Sequence, residues 1–484
     1  MATNMSRRPY WQVGRLAALC VAALGLVAHA AAATFAVNSI VDIPDISPGN
    51  GICETAFGSG VCTLRAAVQE ANAHDGADEI VLQSNTTYLL ARIGIDDTAL
   101  DGDLDITDSV TITGGGPATV VDGNGPLTQE RVFDIPVGCI DNAGFPPNCS
   151  KGALVANLSS LTIQHGTAIT TGGGIRNYAA LTVDHCVIAG NSLTGATTYG
   201  GGIESLGSLV LKNSVVANNT AAGSGIGAGV YTAGPLTVDG TTFVGNQAAG
   251  FGGGLGMYGA SFKAFVRNST FDGNDAALGG AIYDDQAALT LINSTISGNT
   301  STGGGGGLFV GAGSTAKLFN MTIASNRANR DAANGGDGGG LYNGATTIAV
   351  QVVNSIIGNN TRLIAGKNAP PIVDADDCSG TFTSLGNNLL TSVDVAHCAI
   401  NGAYVQAAAN IDPLRDNGGP TKTQSLLVAS PAVDGGNLGG CTDNLGGALT
   451  TDQRGFPRPN GPHCDIGAFE LQEFIFAYGF EPEL

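Results

Sequence analysis

Apolar residues alternate with polar ones over short runs along the middle of the chain, at a spacing of two. Pairs such as Leu181 with Val183 and Leu209 with Leu211 hold the same position in successive units. Runs of this kind, bounded by Gly, Asn, Ser and Thr, predict short β-strands separated by turns. The units contain no run long enough for a helix, which argues against helical solenoids.

These units repeat seven times between Gly172 and Asn360. Each unit opens with glycines and one aliphatic residue, in turn Ile175, Ile203, Val230, Leu255, Ile282, Leu308 and Leu341. Each closes on an apolar-x-x-Asn quartet that ends at Asn191, Asn219, Asn246, Asn274, Asn299, Asn326 or Asn360. A period in the twenties predicts a solenoid whose units bury their apolar faces by stacking. We expect an all-β fold, a right-handed parallel β-helix with coils about 4.8 Å apart.

The small and polar residues of the repeat suit tight corners. Stacked glycines permit positive φ and a close approach of backbones. Five units also carry an asparagine two positions after the second aliphatic residue of the strand: Asn213, Asn268, Asn293, Asn320 and Asn354. Asparagine tolerates the left-handed region, and its amide can bond the next coil. We therefore interpret these five as internal ladders and the repeats as scaffold, in preference to a row of ligand-binding amides.

Composition narrows the class of partner. The 484 residues include 74 glycines and carry a net charge of −20. High glycine without a collagen period, together with 43% hydrophobic residues, fits a β architecture. The acidity argues against nucleic acid and anionic membranes as partners. The sequence has no segment of transmembrane length after its start, and we expect a monomer.

The first 33 residues have the pattern of a secretory signal peptide. Arg7, Arg8 and Arg15 precede or flank an apolar stretch from Leu16 to Val27, and alanines follow. That stretch is too short to span a bilayer. We expect the protein to be secreted, either extracellular or held at the cell envelope.

The cysteine spacing supports export. Eight of the ten cysteines fall into near pairs that predict four disulfides: Cys53–Cys62, Cys139–Cys149, Cys378–Cys398 and Cys441–Cys464. Cys20 lies in the predicted signal peptide. Cys186 is left over at a position where other units place Ser, Thr or Met, so we expect a buried, inert thiol. None of the pairs has the Cys-x-x-Cys spacing of a zinc site.

One amphipathic helix stands out after Cys62. Thr63 can serve as its N-cap, and the residues up to Asn72 place an apolar face towards the solenoid, whose open end such a helix can cover. The run Cys62-Thr-Leu-Arg65-Ala-Ala67, followed by Glu70-Ala-Asn72, resembles the CSLREA motif of secreted bacterial β-helix proteins. It departs from that motif at Thr63 and Ala66.

Two further resemblances cover most of the remaining chain. Gly-Gly-Ala-Ile282 and Phe271-x-x-Asn274 resemble the GGAI and FxxN repeats of polymorphic outer-membrane proteins. Asp416-Asn-Gly-Gly-Pro420, Ser430-Pro-Ala-Val-Asp434, Asp452-Gln-Arg-Gly455 and Cys464-Asp-Ile-Gly-Ala-Phe-Glu470 resemble the choice-of-anchor Q domain. The resemblances imply a β-helix at or outside the cell surface.

The chain divides into five parts. We predict a signal peptide at 1–33, an N-terminal cap with the helix at 34–80, the β-helix at 81–377, a C-terminal module at 378–471 and a tail at 472–484. The tail, Phe474-Ile-Phe-Ala-Tyr-Gly-Phe-Glu481, resembles the short endings of secreted proteobacterial proteins. Either a final edge strand or a sorting tag accounts for its apolar composition.

The densest acidic cluster comprises Asp97, Asp101, Asp103 and Asp105. Oxygen ligands at this density are compatible with Ca²⁺, although the glycine and distal glutamate of an EF-hand loop are missing. Alternation on a strand turns Leu104 and Ile106 inwards and the odd-numbered acids outwards. We therefore favour a solvated acidic face, and Ca²⁺ is the one cofactor that the sequence leaves open.

Catalysis is the alternative to a purely structural or adhesive function. Asp284 and Asp285 form an adjacent carboxylate pair, and paired carboxylates can hydrolyse glycosides when suitably separated. The motifs of polygalacturonases and the nucleophile elbow are missing from the sequence. We favour a structural or adhesive surface protein that binds glycan or matrix, with a pectinase-like lyase or glycoside hydrolase as the alternative. Within the repeats, the segment 329–337 is the expected lateral loop for a partner.

Overall fold

A computed structural model describes residues 32–136, 154–259, 262–333, 335–345, 350–366, 370–437 and 441–472. Residues 1–31 of the predicted signal peptide, the predicted bridge between Cys139 and Cys149 and most of the tail lie outside these residues. The predicted fold is confirmed, because short strands stack coil upon coil in parallel register. Within the described residues, no helix is long and apolar enough to cross a membrane.

Each coil contributes up to four short strands, one to each of four stacks that we number sheets 1 to 4 in chain order. Sheet 1 follows the glycine corner and consists of Leu104–Asp105, Phe133–Ile135, Ile175–Asn177, Ile203–Ser205, Val230–Thr232, Leu255–Tyr258, Ile282–Asp285, Leu308–Val310 and Leu341–Asn343. Sheet 2 consists of Thr34–Ala36, Asp78–Val81, Val110–Thr113, Val155–Ser159, Ala180–Asp184, Ser208–Lys212, Leu236–Asp239, Lys263–Arg267, Ala288–Ile292, Thr315–Phe319, Val350–Val353 and Cys398–Asn401. The long strand Cys378–Ser384 pairs with both and joins them into one sheet.

Sheets 3 and 4 complete the coil. Sheet 3 consists of Thr87–Leu89, Val120–Asp122, Thr162–Gln164, Val187–Ala189, Val215–Ala217, Thr242–Val244, Thr270–Asp272, Thr295–Ser297, Thr322–Ala324, Ile356–Gly358, Leu389–Leu390 and Val405–Gln406. Sheet 4 consists of Thr167–Ala168, Ser192–Leu193, Thr220–Ala221, Gln247–Ala248, Asp275–Ala276, Thr300–Ser301, Arg327–Ala328, Thr361–Ile364 and Ile372–Ala375. Its last two strands pair antiparallel.

The core consists of stacked apolar residues from successive coils. The aliphatic residues that open the seven units are all 1% exposed or less. Phe243 and Phe271 stack inside sheet 3 with ring centroids 4.4 Å apart. Sheet 4 contributes Ala221, Ala248 and Ala276, which form a separate small buried cluster with Ala228 of the glycine corner.

The internal asparagine ladder is formed by the asparagines that close the units, from Asn191 to Asn360. All are 1% exposed or less, and each side-chain Nδ2 donates to Oδ1 of the next asparagine at 2.9–3.0 Å. The backbone N–H of each also donates to that same Oδ1. Asn360 donates in turn to Asp377, whose carboxylate can only accept and so ends the ladder.

Our prediction for the other five asparagines is therefore wrong in part. They do occupy the left-handed region, with φ between 45° and 53°. They lie at the corner between sheets 2 and 3, however, and Asn213 is exposed. Two direct pairs form along this corner, Asn293 with Asn268 at 3.1 Å and Asn354 with Asn320 at 2.8 Å. Turn geometry, which needs a residue that tolerates positive φ, explains these positions better than an internal ladder does.

The predicted helix spans Leu64–Ala73 and covers the N-terminal end of the coils. Thr63 caps it, because its Oγ1 accepts from the N–H of Ala66 at 3.1 Å. Arg65 is buried within the cap and forms a salt bridge with Asp42 at 2.5 Å. Its guanidinium also donates to the carbonyl oxygens of Ala99, Gly102 and Asp103.

The C-terminal module folds back along the side of the β-helix after the last strand at Val405–Gln406. Gln453 donates through Nε2 to Thr270 Oγ1 at 2.8 Å and accepts from Thr295 Oγ1 at 2.6 Å. Arg458 donates to Asn293 Oδ1 at 2.9 Å, and Asn354 donates to the carbonyl of Asp465. The module therefore covers the sheet 2–3 corner over several coils and does not cap the end alone.

Three of the predicted disulfides are present: Cys53–Cys62, Cys378–Cys398 and Cys441–Cys464. Cys186 is a buried free thiol, as predicted. Burial raises its pKa to about 11, so the unreactive thiol form prevails at neutral pH.

Candidate functional site

The outer face of sheet 1 carries one side chain per coil, in register along the axis. The residue between two inward-facing neighbours points outwards, as strand alternation requires. The parallel pairing aligns Asp105, Asp134, Arg176, Glu204, Tyr231, Gly256, Tyr283, Phe309, Tyr342 and Ser379. We call this line the outer row. Ten positions at about 4.8 Å give it a length of about 43 Å.

The N-terminal part of the outer row is charged. Arg176 donates from Nε to Asp134 Oδ1 at 2.9 Å and makes a second contact between Nη2 and Oδ2 of the same carboxylate. Arg131 Nη1 lies 3.0 Å from Asp103 Oδ2 and 3.5 Å from Asp134 Oδ2. One carboxylate oxygen from each of Asp103, Asp105 and Asp134 lies within 4.8 Å of the other two. We call these three aspartates the aspartate cluster.

Two oxygens of this region are buried without a hydrogen-bond partner. Asp105 is 1% exposed; its Oδ2 accepts from the N–H of Ala99 at 2.8 Å, but its Oδ1 accepts from no group among the described residues. Glu204 Oε2 is likewise buried and has no hydrogen-bond partner among the described residues. Buried polar atoms in native proteins are nearly always satisfied, so each such exception calls for a proton, an ion or a ligand.

Burial shifts the acidity of these groups. Desolvation raises the pKa of Asp103 to about 7, and the nearby Arg131 opposes the shift. Desolvation, followed by the negative charge of Asp103, raises the pKa of Asp105 to about 8. The pKa of Glu204 rises to about 7, again by desolvation, against the lowering effect of Thr171 and Arg176. Shifted carboxyl groups that cluster on one outer face are typical of functional sites.

The C-terminal part of the outer row is aromatic. Tyr283 stacks on Phe309 with centroids 5.2 Å apart, and Phe309 stacks on Tyr342 at 4.8 Å. Two further aromatic residues precede the glycines of their units and lie beside the outer row. The ring centroid of Phe251 is 4.8 Å from that of Tyr283, and the ring centroid of Tyr199 is 4.8 Å from that of Tyr231. We call these six residues the aromatic patch: Tyr199, Tyr231, Phe251, Tyr283, Phe309 and Tyr342. Phe251, Tyr283, Phe309 and Tyr342 stack in sequence, whereas Tyr199 and Tyr231 form a separate pair.

Gly256 interrupts the outer row between Tyr231 and Tyr283. A Cβ at this position would lie 2.6 Å from Gly227 N and from Ile226 Cγ2, so the backbone approach requires glycine. The adjacent Phe251 continues the aromatic patch beside this gap.

The structure divides the predicted calcium residues. Asp97 is exposed, and Asp101 pairs with Arg92 at 2.7 Å. Asp103 and Asp105 are 4% and 1% exposed, so our prediction of a solvated acidic face is wrong for these two. The loop before Leu104 and the two arginines cover them. Asp134 joins them from the next coil, a contact that we did not predict, although Phe133-Asp-Ile135 repeats the pattern of Leu104-Asp-Ile106.

The carboxylate pair of the catalytic alternative does not assemble. Asp284 is 0% exposed and faces the corner between sheets 1 and 2, where its Oδ1 accepts from the N–H of Ala287 at 3.1 Å. Asp285 points to the other face of the strand and is half-buried. Neighbouring residues on a strand project in opposite directions, so these two cannot flank one glycosidic bond.

The lateral loop predicted at 329–337 lies against the outer surface of sheet 4. Arg330 reaches back to Asp275, with Nε 2.6 Å from Oδ1 and Nη2 3.0 Å from Oδ2. At the other end of the loop, Asp337 pairs with Arg362. Both ends are thus held by ion pairs.

Comparison with known proteins bears on the fold alone. No protein-family model and no curated protein matches the chain. Among solved structures, the chain is similar to pectate lyase Pel9A, with a TM-score of 0.46 and 13% identity over 90% of this chain and 96% of that one. It is also similar to the A-module of the Azotobacter vinelandii mannuronan C-5 epimerase AlgE6, with a TM-score of 0.37 and 15% identity over 77% of this chain and 97% of that one.

Proposed function

We propose that this chain is a secreted or cell-surface scaffold that binds a polysaccharide along the outer row of sheet 1. The observation that carries the proposal is the in-register line in which buried carboxylates and Arg176 are followed along the axis by aromatic residues. A ligand that matches it must be long and straight, and must present both hydroxyl groups and apolar surface.

A polysaccharide chain has these properties. Its hydroxyl groups can accept from the guanidinium of Arg176, whose side chain is 27% exposed. Its apolar C–H faces can lie on the aromatic patch, since tyrosine and phenylalanine rings bury large apolar areas on contact. Because the coils are rigidly stacked, the ligand would meet a surface that is already formed, which lowers the entropic cost of binding.

Binding to a glycan array by the secreted protein tests this proposal. We expect Phe309→Ser combined with Tyr342→Ser to weaken binding by about tenfold or more, because two aromatic contacts are lost. Phe57→Ser is the matched control, since Phe57 is 77% exposed on the N-terminal cap, far from the outer row in the fold. If the wild type binds none of the polysaccharides, or the control variant loses as much affinity as the double variant, the proposal fails.

The location of the protein requires its own test. The signal-peptide pattern predicts export, and the adhesive function predicts retention at the cell envelope. Cell fractionation with an antibody against the C-terminal module should find the protein in the envelope. Intact protein found entirely in the cytoplasm would contradict export.

A carbohydrate-active enzyme is the second candidate, and Glu204 is the observation that favours it. Its carboxyl group is buried, its Oε2 has no partner among the described residues, and its raised pKa leaves it partly protonated at neutral pH. Such a group next to Arg176 can serve as a general acid. Release of reducing ends or unsaturated products by the wild type, with loss of turnover but retained binding in Glu204→Gln, would establish the enzyme. A wild type that binds glycan without turnover would leave the adhesive function.

A further inference from the structure

The aspartate cluster and its neighbours contain more carboxyl groups than guanidinium groups. Five carboxyl groups lie together here: Asp103, Asp105, Asp134, Glu130 and Glu204. Two guanidinium groups face them, Arg131 and Arg176. If every group is ionised, the region carries three uncompensated negative charges, in a place where side chains are mostly buried. Unbalanced buried charge is costly and is normally relieved by protons, partners or metal ions.

The second observation is the unpartnered oxygen of Asp105. Asp105 pairs directly with Asp134 on the neighbouring strand, so the two side chains project side by side, and one carboxylate oxygen of each lies within 4.8 Å of the other. Its Oδ2 accepts from the N–H of Ala99, and its Oδ1 is buried and accepts from no group among the described residues. A buried carboxylate oxygen without a donor is a ready ligand for a cation.

We infer that Asp103, Asp105 and Asp134 together bind a divalent cation, with Ca²⁺ as the best fit. The three ligand groups offer oxygen only, which suits hard cations and does not favour zinc or copper. Ca²⁺ accepts irregular geometry and six to eight oxygen ligands, so backbone carbonyls or water can complete the shell. Asp103 Oδ2 and Asp134 Oδ1 each accept from one arginine and keep a second lone pair for the ion, whereas Asp134 Oδ2 accepts from both Arg131 and Arg176.

The ion would join two elements of the N-terminal end. Asp103 lies in the loop that Arg65 holds by its carbonyl groups, whereas Asp105 and Asp134 lie on neighbouring strands of sheet 1. A bound cation would thus tie this loop to two successive coils. The inference does not rest on the proposed glycan binding, because it concerns the stability of the N-terminal coils.

Calcium titration of the purified protein after treatment with a chelator is the test. We expect saturable binding by isothermal titration calorimetry and a rise in Tm of about 3 °C or more at calcium concentrations far above Kd. Asp105→Asn should weaken calcium binding by at least about tenfold, because it removes a charged ligand. Asp97→Asn, an exposed position in the same loop, should bind as the wild type does.

Three outcomes would overturn the inference. They are the absence of saturable binding to the wild type, equal binding by Asp105→Asn, and an equal loss in Asp97→Asn. Each would mean that protons or the arginines alone balance the cluster, or that calcium binds elsewhere. If circular dichroism shows that Asp105→Asn does not fold, two other measurements decide the question. Asp103→Asn should weaken calcium binding in the same way, and calcium should displace bound terbium from the wild type and so reduce terbium luminescence.

Discussion

Asp284 offers a direct test of the energetic cost of a buried carboxylate in this β-helix. It lies at the sheet 1–2 corner, and the same position is occupied by Asn177 and Asn343 in other coils. Those asparagines accept from a backbone N–H two residues later, at 3.0 and 3.1 Å. Asp284→Asn therefore keeps the acceptor that the corner needs and removes the titratable group.

The expected effect follows from proton linkage. Desolvation raises the pKa of Asp284 to about 8. Between roughly pH 4 and pH 8 the native state then holds a proton that the unfolded chain has lost. The free energy of unfolding consequently falls as pH rises through this window. At 1.36 kcal/mol per unit, a full proton over the three units from pH 5 to pH 8 amounts to about 4 kcal/mol.

The assay is chemical denaturation of the wild type and Asp284→Asn at pH 5 and pH 8, with Asp97→Asn as a control for removal of one exposed charge. From pH 5 to pH 8, we expect the free energy of unfolding of Asp284→Asn to rise by about 4 kcal/mol relative to that of the wild type. For the control, the relative change should be close to zero. A relative gain below about 1 kcal/mol would refute the reasoning, because it would mean that the ionised carboxylate finds solvent in the native state.

Two further variants test the scaffold. Asn246→Ala should lower the free energy of unfolding by about 3 kcal/mol or more, since it leaves the backbone N–H and the side-chain amide of Asn219 without their acceptor. Thermal denaturation measures the loss, and a loss below about 1 kcal/mol would contradict an internal ladder. Arg65→Ala should cost about 3 to 5 kcal/mol, because the buried carboxylate of Asp42 loses its charged partner and keeps the backbone N–H groups of Ala91 and Arg92 as donors. A Tm equal to that of the wild type would show that the cap does not depend on this salt bridge.

The repeating part of the fold was predictable because stacking imposes the same requirements on every coil. Alternation at a spacing of two identifies strands, and the glycine corners mark where the chain turns. The asparagines were harder to assign. Asn246 and Asn268 differ little in their local sequence, but the first points into the coil and the second lies at a corner with positive φ. What distinguishes a ladder asparagine from a turn asparagine is whether its side chain points into the coil or lies at the corner.

The site was less predictable, since it depends on contacts between coils. Asp103 and Asp105 were recognised as candidate ligands, but Asp134 lies about 30 residues later and meets them only through the register of the strands. The coils before Gly172 do not follow the regular repeat length, so the sequence did not indicate that Asp134 aligns with Asp105. The aromatic patch has the same origin: Phe251 and Tyr283 belong to different positions of successive units and become neighbours only when the coils stack.

The return of the C-terminal module along the β-helix has a consequence for the order of folding. Successive coils contact one another across 25 to 34 residues, as the asparagine ladder shows, so they can form one after another as the chain is synthesised. Gln453, by contrast, meets Ser269 across 184 residues. Loop closure over such a distance comes late and is slow. Coils in the middle of the molecule therefore reach their final state only after the last segment has been made, and a chain that is truncated before this segment leaves their polar corners uncovered.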